Sequence, residues 1–356
     1  MKKDSICRKL INYSKEYLDF FSNDYLGLSQ NEEVLQAGIK AAMEYGAGST
    51  GSRLLSGNKQ IFCEFEKIIA RDKMTENSLI FNSGFQLNSG VLECLADKNT
   101  TVIFDKLNHA SMYQGVFASG AKLMRFNHLD YDHLESILKN ETTKSIIIVS
   151  ETVFGMDGDT ADLQVLSDLS NKYGTLLYLD EAHATGLYGK EGYGLSTNFK
   201  LNSETTIVMG TFSKALGSSG AYIACSNLIK DYLIQCCRSF IYSTALSPFC
   251  IGAAMASWKL VKSMSKIRKD LLNKADNLRE ELKSIGRQTI GNGTNIIPIL
   301  CESTESMRRT KEKCFENKVV VAGIAKPTSP TPRIRIALSA KHSVEKIKKL
   351  VECLKP

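Results

Sequence analysis

The chain has 356 residues, 43% hydrophobic and 23% charged, so it has enough apolar material for a sizeable core and is not globally disordered. Its longest weakly polar run, Phe249 to Trp258, is too short to span a bilayer, and no apolar signal-peptide region follows the basic N-terminus. The net charge of +7 comes without a basic stripe of interleaved aromatic residues, so we expect a cytoplasmic enzyme with neither nucleic acid nor membrane as partner.

Short apolar runs alternate with helical patterns through the middle of the chain. Several runs are apolar throughout, as expected for strands covered on both faces, so the pattern predicts an α/β fold with a mostly parallel sheet flanked by helices. The predicted strands are Ser78–Phe81, Thr101–Phe104, Ser145–Ser150, Thr175–Asp180, Thr205–Gly210 and Ala221–Ala224, with helices such as Glu32–Tyr45, Gln86–Leu95, Leu129–Lys139 and Leu163–Tyr173.

The pattern changes after Trp258, where a smaller α+β region is predicted. Its elements are a long polar helix over Val261–Ile285, short strands at Asn295–Leu300, Val319–Val321 and Arg333–Leu338, and a last helix over Val344–Leu354. We therefore predict a short N-terminal arm (1–26), a large α/β domain (27–258) and a small C-terminal α+β domain (259–356).

Two glycine-rich segments differ in the kind of binding site that they predict. Gly46 to Gly51 satisfies the GxGxxG pattern, but a predicted helix precedes it where the dinucleotide fingerprint requires a strand, so nicotinamide binding is not expected. Ser83-Gly84-Phe85 instead follows a predicted strand and begins a predicted helix. Backbone N–H groups at such a helix start form an anion site, although an ordinary strand–helix turn has the same pattern.

Chemically active side chains follow the predicted strands. Asp180 closes one strand and His183 comes three residues later, while His109 follows another strand and Lys214 lies among small residues after a third. Ligands bind at the carboxyl ends of such strands, although a helix cap, a buried structural histidine and a solvated lysine remain alternatives. Together the residues suit a pyridoxal phosphate enzyme, in which Lys214 holds the aldehyde as a Schiff base and Asp180 keeps the pyridine nitrogen protonated.

Other residue types narrow the chemistry. Arg333 and Arg335 lie two apart on a predicted strand and share a face, where a guanidinium could grip a carboxylate, although an edge strand with solvated arginines fits the same pattern. The ten cysteines include no CxxC pair, and the five histidines show no zinc-binding spacing. Reduced thiols and no metal are therefore expected.

The ordered motifs resemble the α-oxoamine synthases, a branch of the fold-type I pyridoxal phosphate-dependent transferases. The resemblance covers nearly the whole chain and is carried by Phe21 to Leu28, Gly51 to Gly57, Asp105 to Ser111, Met156 to Asp159 and Asp180 to His183. Within the family, Ser52 to Asn58 and Ile241 to Leu246 are most similar to the biotin-pathway members.

The resemblance implies a role for each matching residue. Lys214 would be the Schiff-base lysine, and Asp180 would bond the pyridine nitrogen of the cofactor. His183 would bond the oxygen on the ring, and His109 would stack on the ring. The remaining implied contacts are Gly84, Phe85 and Thr211 to cofactor or phosphate, Ser243 and Thr244 to the neighbouring subunit's phosphate, and Asn23, Ser52, Arg335 and Thr328 to substrate. Ser52 occupies a position where glycine-using relatives carry threonine, which leaves room for an alanine methyl group.

The implied reaction is a decarboxylative condensation of L-alanine with a pimeloyl thioester, carried by coenzyme A or a carrier protein, in a homodimer with its site at the interface. The alternatives are glycine C-acetyltransferase, 5-aminolevulinate synthase, a serine palmitoyltransferase-like enzyme, or a catalytically silent subunit. Three departures from the family concern acyl-substrate recognition: a shortened N-terminal arm without its substrate-contacting arginine, Gly155 in place of serine, and Ala325 in place of an arginine before the prolines.

Overall fold

The structure is a computed structural model that describes residues 10–356. It divides into two compact units. The larger unit comprises Leu28–Phe154 and Ala161–Ser265, and the smaller comprises residues 10–27, Gly155–Thr160 and Lys266–Pro356. The division into an arm and two domains stays a prediction, and residues 1–9 of the predicted arm lie outside the described residues.

Twelve strands occur in residues 10–356. They are β1 (Leu18–Asp19), β2 (Asn77–Phe81), β3 (Thr100–Asp105), β4 (Lys122–Phe126), β5 (Ser145–Glu151), β6 (Leu176–Asp180), β7 (Thr206–Thr211), β8 (Ala221–Cys225), β9 (Ile296–Leu300), β10 (Val319–Val320), β11 (Ala322–Ile324) and β12 (Arg333–Ala337).

The same part of the chain forms twelve α-helices. They are α1 (Glu32–Tyr45), α2 (Gln60–Asp72), α3 (Gly84–Leu95), α4 (Ala110–Ser119), α5 (Tyr131–Asn140), α6 (Leu163–Tyr173), α7 (Asn227–Cys236), α8 (Arg238–Ile241), α9 (Pro248–Ser263), α10 (Ser265–Ser284), α11 (Thr304–Glu316) and α12 (Val344–Leu354).

The larger unit is built on a seven-stranded sheet with the order β2-β8-β7-β6-β5-β3-β4. Strands β3 to β7 pair in parallel, whereas β8 runs antiparallel to both β7 and β2. Six of the seven strands therefore point the same way. Their carboxyl ends meet at one edge, where Asp180 is paired with Glu151 on one side and Met209 on the other.

Both faces of this sheet are buried, which explains the continuous apolar runs of its strands. On one face, α3 and α4 pack against a core that includes Val102 and Phe104. On the other face, Ile103 joins a second core to which α5 and α6 contribute Leu134 and Leu166. Successive residues of one strand thus enter different cores, as the period of two requires.

The smaller unit contains the antiparallel sheet β11-β12-β9 and the parallel pair β1-β10. Strand β12 lies between two partners, and its Arg333 and Arg335 are buried. The alternative of an edge strand with solvated arginines is therefore wrong, because sequence spacing does not show which strand is central.

Two differences from the predicted elements have physical causes. The helix predicted over Val261–Ile285 is two helices, because at Met264 the N–H bonds the carbonyl of Val261, three residues back, and the α-helical ladder ends there. Strand β4 was not predicted, because it pairs only with β3 and carries charged residues at an edge of the sheet. Within residues 10–356, no helix combines the length and apolar character needed to cross a membrane.

Candidate active site

A cavity of about 240 Å³ lies at the carboxyl ends of the parallel strands in the larger unit. It brings together seven of the residues singled out from the sequence, contributed by strand ends and by the start of α3. Its lining residues are Ser83, Gly84, Phe85, Asn88, His109, Ser111, Glu151, Asp180, Ala182, His183, Met209, Thr211, Ser213 and Lys214.

The turn between β2 and α3 forms one wall of the cavity. The Ser83 side chain caps α3 by accepting a hydrogen bond of 3.2 Å from the backbone N–H of Gln86. The first N–H groups of a helix have no partner within the helix and attract an anion. A Cβ added at Gly84 would lie 3.6 Å from Cε of Met209 and 3.8 Å from Cβ of Thr211, so glycine keeps this part of the cavity open.

Lys214 lies in a tight loop that joins β7 to β8. Two backbone hydrogen bonds of 2.9 Å close the loop: the Phe212 N–H donates to the Gly220 carbonyl, and the Ser218 N–H donates to the Phe212 carbonyl. The Thr211 hydroxyl also donates to the Gly220 carbonyl over 2.9 Å. The half-buried Lys214 side chain places Nζ 2.8 Å from Nε2 of His183. The amine is therefore held at the cavity beside an imidazole.

The carboxylate of Asp180 is buried at the end of β6 and is held by two neutral donors. Its Oδ1 accepts from the backbone N–H of Ala182, and its Oδ2 accepts from Nδ2 of Asn88, both over 2.8 Å. Each carboxylate oxygen can accept more than one hydrogen bond. The carboxylate can therefore also accept from a protonated ring nitrogen in the cavity.

His109 caps the start of α4 and lines the same cavity. Its Nδ1 lies 2.8 Å from the hydroxyl of Ser111 and 3.3 Å from the Ser111 backbone nitrogen. Burial lowers the pKa of His109, the Asp180 carboxylate opposes that shift, and the Lys214 ammonium adds to it. The lowered pKa favours the neutral form of the imidazole.

Asn88, Ser111 and Glu151 also line the cavity, and sequence reasoning did not identify them. Asn88 is buried on the apolar face of α3, three and four residues before Val91 and Leu92. A polar residue at a core position of an amphipathic helix is the signal that could have identified it.

A buried ion pair lies directly behind the site. The ammonium of Lys73 bonds the carboxylate of Glu181, the residue after Asp180, and also donates 2.8 Å bonds to the Tyr193 carbonyl and the Ser196 hydroxyl. A Cβ at Gly194 would lie 2.0 Å from the Glu181 carboxylate, so only glycine leaves room for it. Burial lowers the pKa of Lys73, and Glu181 opposes that shift.

Ser52, Ser243 and Thr244 do not line this cavity. Ser52 and Thr244 form an isolated antiparallel bridge, Gln86 donates a 2.8 Å bond to the Ser243 hydroxyl, and Asn82 donates to the Thr244 carbonyl over 2.7 Å. The proposed contact of Ser243 and Thr244 with a neighbouring subunit's phosphate stays a prediction.

Asn23 and Arg335 lie together in the smaller unit. Nη2 of Arg335 donates to Oδ1 of Asn23 over 3.3 Å, its Nε donates to the Gly155 carbonyl over 2.6 Å, and the Tyr25 hydroxyl also donates to Asn23. Burial raises the pKa of Tyr25 to about 12, and Arg335 opposes that shift. The residue that replaces the family's serine, Gly155, thus holds Arg335 through its backbone.

Thr328 lies exposed in the proline loop of the smaller unit, and its N–H bonds the carbonyl of the buried Ala325 over 3.0 Å. Its role toward substrate stays a prediction. Across residues 10–356, no group of three or more histidine, cysteine, aspartate or glutamate side chains is arranged to hold a metal ion.

The cavity fits pyridoxal phosphate in each of its parts. The start of α3 suits the phosphate, Lys214 the aldehyde, Asp180 the pyridine nitrogen and His109 a face of the ring. All four features belong to the larger unit.

Known proteins are similar to this chain in sequence and in fold. A family model described as aminotransferase class I and II matches residues 15–354. "Putative 8-amino-7-oxononanoate synthase" of Bacillus cereus (strain Q1) is 41% identical over 342 residues, which cover 95% of this chain and 87% of that relative. The 8-amino-7-oxononanoate synthase structure from Francisella tularensis is 28% identical with a TM-score of 0.84, over 96% of this chain and 98% of that one.

A serine palmitoyltransferase variant from S. paucimobilis, solved with bound PLP–myriocin aldimine, is 26% identical with a TM-score of 0.91, over 95% of this chain and 86% of that one. Fold and site together define a fold-type I pyridoxal phosphate-dependent transferase. The chain belongs to the aminotransferase class I and II family and, within it, to the α-oxoamine synthases. The fold class and the cofactor predicted from the sequence are confirmed.

Proposed function

We propose that the protein condenses L-alanine with a pimeloyl thioester and releases 8-amino-7-oxononanoate, CO2 and the free thiol. The observation that carries the proposal is the convergence of Lys214, His183, Asp180 and His109 on one cavity, in a chain 41% identical to a named 8-amino-7-oxononanoate synthase. The thioester could be carried by coenzyme A or by a carrier protein, since the cavity chemistry is the same for both.

Pyridoxal phosphate, when bound, supplies an electron sink for negative charge at the carbon next to the substrate amine. Lys214 is the base that removes the proton from this carbon, because its amine lies at the cavity, 2.8 Å from the His183 ring nitrogen. His183 orients that amine over a distance of 2.8 Å. Asp180 holds a proton on the ring nitrogen, and its own position is fixed by Ala182 and Asn88.

We further propose that Arg335 and Asn23 bind the carboxylate of the amino acid. Arg335 is buried, and its hydrogen bonds to Gly155 and Asn23 within residues 10–356 go to neutral oxygens. Its strand neighbour Arg333 is different, because it pairs with the Asp157 carboxylate over 2.7 Å. A buried guanidinium bonded to neutral groups favours an anion as its remaining partner.

A sibling reaction is the second candidate, because a serine palmitoyltransferase shares this fold with a TM-score of 0.91. The two candidate reactions differ in the amino acid and in the acyl chain that they use. Ser52, which is smaller than the threonine of glycine-using relatives, supports alanine. We also propose a homodimer whose second subunit completes the phosphate site, and sedimentation of the active protein tests it.

The test is one assay matrix with the pyridoxal phosphate-loaded protein. L-Alanine, glycine and L-serine are each combined with pimeloyl-, acetyl- and palmitoyl-CoA, thiol release is followed, and Lys214→Ala gives the background rate. We expect turnover with alanine and pimeloyl-CoA. Turnover confined to glycine with acetyl-CoA, or to serine with palmitoyl-CoA, would assign the sibling reaction and overturn the proposed substrates while leaving the cofactor and Lys214 in place.

A further inference from the structure

A chain of buried hydrogen bonds connects Asp180 with His109, and both residues line the cavity. The hydroxyl of Tyr178 bonds Oδ1 of Asn88 over 2.7 Å, and Nδ2 of Asn88 bonds both Oδ2 of Asp180 over 2.8 Å and the hydroxyl of Ser111 over 3.0 Å. The Ser111 hydroxyl in turn lies 2.8 Å from Nδ1 of His109. Tyr178 and Ser111 are fully buried, and Asn88 is 2% exposed.

We propose that Asn88 is a positioning residue that sets both the orientation of the Asp180 carboxylate and the tautomer of His109. The inference rests on the proposed roles of Asp180 and His109 at the ring of the cofactor. In this role Asn88 does not touch the reacting atoms, and it acts only through the side chains of Asp180 and His109.

The direction of the chain follows from what each group can donate. An ionised carboxylate only accepts, so the Asn88 atom that faces Asp180 must be the amide nitrogen. The amide oxygen then faces Tyr178, whose hydroxyl must donate to it. Because the partners of Asn88 determine the positions of both its amide oxygen and its amide nitrogen, the side chain has one stable orientation rather than two.

The directions of the hydrogen bonds from Asn88 through Ser111 also determine the tautomer of His109. The second N–H of the Asn88 amide donates to Ser111, whose single hydroxyl proton is then free to be donated to Nδ1 of His109. The backbone N–H of Ser111 also approaches Nδ1, at 3.3 Å. Two donors on Nδ1 leave that nitrogen without a proton, so the ring of His109 is neutral and carries its proton on Nε2.

A neutral imidazole is what the cavity chemistry requires. A charged ring stacked on the cofactor would place a second positive charge beside the pyridine nitrogen that Asp180 must keep protonated. Asn88 thus serves two purposes with one amide: it fixes the carboxylate that stabilises the ring proton, and it keeps a competing positive charge away.

The test is a measurement of the His109 tautomer in the 356-residue protein, with and without pyridoxal phosphate, by NMR of ring-15N-labelled histidine. The chain has only five histidines, so comparison with His109→Gln assigns the signal. We expect an unprotonated Nδ1 and a protonated Nε2 in the unsubstituted protein. A proton on Nδ1 there would overturn the inference outright.

Asn88→Asp gives the sharpest variant, because its carboxyl carries at most one proton, which the adjacent Asp180 carboxylate accepts, so none is left to donate to Ser111. The serine must then donate toward residue 88 and accept from His109, which moves the histidine proton to Nδ1. Since Asn88→Asp brings two carboxyls together and could fail to fold, Ser111→Ala and Ser111→Thr are measured as a second pair. Ser111→Ala should mix the two tautomers, and Ser111→Thr should keep the Nε2–H form.

Ser170→Ala is the matched control, because Ser170 is also buried and hydrogen-bonded, to the Thr175 carbonyl over 2.8 Å, but lies outside the chain. It should leave the His109 signal unchanged. An unchanged tautomer in both folded Asn88→Asp and Ser111→Ala would overturn the inference. The readout does not depend on substrate, so a failed proposal for alanine and pimeloyl thioester would leave it intact.

Discussion

The ammonium group of Lys73 bonds the carboxylate of Glu181, and neither side chain is exposed to solvent. The two residues are 108 positions apart, and Glu181 directly follows Asp180. The Glu181 carboxylate also accepts a 2.7 Å bond from the backbone N–H of Ser196. The pair therefore anchors the segment between Asp180 and His183 to α2 and to the loop that contains Tyr193 and Ser196.

Lys73→Met leaves Glu181 buried without its partner, and we expect the free energy of unfolding to fall by about 3–5 kcal/mol, measured by urea denaturation. Lys172→Met removes an exposed partner of Glu135 and should cost at most about 1 kcal/mol. The double variant Lys73→Met with Glu181→Leu should recover much of the loss. A loss from Lys73→Met no larger than that of the exposed control would contradict the anchoring role.

Lys214→Ala should fold normally and lose turnover, because the amine that carries the aldehyde and moves the proton is gone. The absorbance of the bound cofactor's imine with Lys214 should also be missing. Circular dichroism checks the fold, and Lys200→Ala, at an exposed position of the larger unit, is the control. Full turnover by Lys214→Ala would remove the basis of the catalytic assignment.

Arg335→Lys should raise the KM for the amino acid by about 10- to 100-fold, because an ammonium cannot grip a carboxylate through two parallel bonds. The KM for the thioester should change little. Arg333→Lys is the matched control on the same strand, since its guanidinium is already paired with Asp157. Equal effects of the two substitutions would mean that Arg335 supports the strand and does not bind substrate.

Ser52 does not line the cavity within one subunit, so Ser52→Thr tests the substrate contact that the family resemblance implies for the proposed homodimer. Ser52→Thr should lower kcat/KM for alanine relative to glycine by about tenfold or more, since the added methyl group takes the room of the substrate's own. The Ser52 carbonyl accepts 3.0 Å bonds from Leu55 and Gly57, so the backbone should keep its position. Competition between the two amino acids in one assay gives the ratio. With Ser284→Thr, on an exposed helix end, the ratio should not move.

His342 makes the smaller unit sensitive to acid. Its Nδ1 accepts from the Ser339 N–H over 3.1 Å, its Nε2 bonds the Asp19 carbonyl over 2.9 Å, and its ring stacks on Phe20. Burial lowers the pKa of His342 from 6.5 to about 4, with nearby Lys346 adding to the shift and Asp19 opposing it. Protonation of Nδ1 removes the bond from Ser339.

A lowered pKa means that the unfolded chain binds a proton more readily, so acid destabilises the fold. The His342 contribution is fully present above pH 6.5 and is lost as the pH falls toward 4, with a total of about 3 kcal/mol. Urea denaturation from pH 4 to 8 should show this slope in the unsubstituted protein and a shallower one in His342→Asn. If the unfolding free energies of the two proteins changed with pH in parallel, the acid sensitivity could not be assigned to His342.

Several residues of the candidate cavity could be predicted because each has a local signal. Gly84, Asp180 and Lys214 all follow apolar runs that read as strands. The carboxyl ends of parallel strands meet at one edge, so placing each residue after its strand was enough to place them together. The antiparallel β8 does not alter this, because its neighbours β2 and β7 still point the same way.

The residues that support the site could not be predicted, because their partners are distant in sequence and their setting depends on packing. Asn88 bonds Asp180 from 92 positions away, and Lys73 reaches Glu181 across 108. Whether Arg333 and Arg335 are solvated or buried depended on β12 being central in its sheet.

By itself, then, the sequence determined the fold class, the cofactor and most of the candidate residues that line one cavity, since strand patterning and local motifs act over a few residues. Only the tertiary structure decided how Asp180 is held, which side chains connect it to His109, and which of the two strand arginines pairs with a carboxylate. These properties arise from hydrogen bonds and burial, and both exist only once distant segments have packed together.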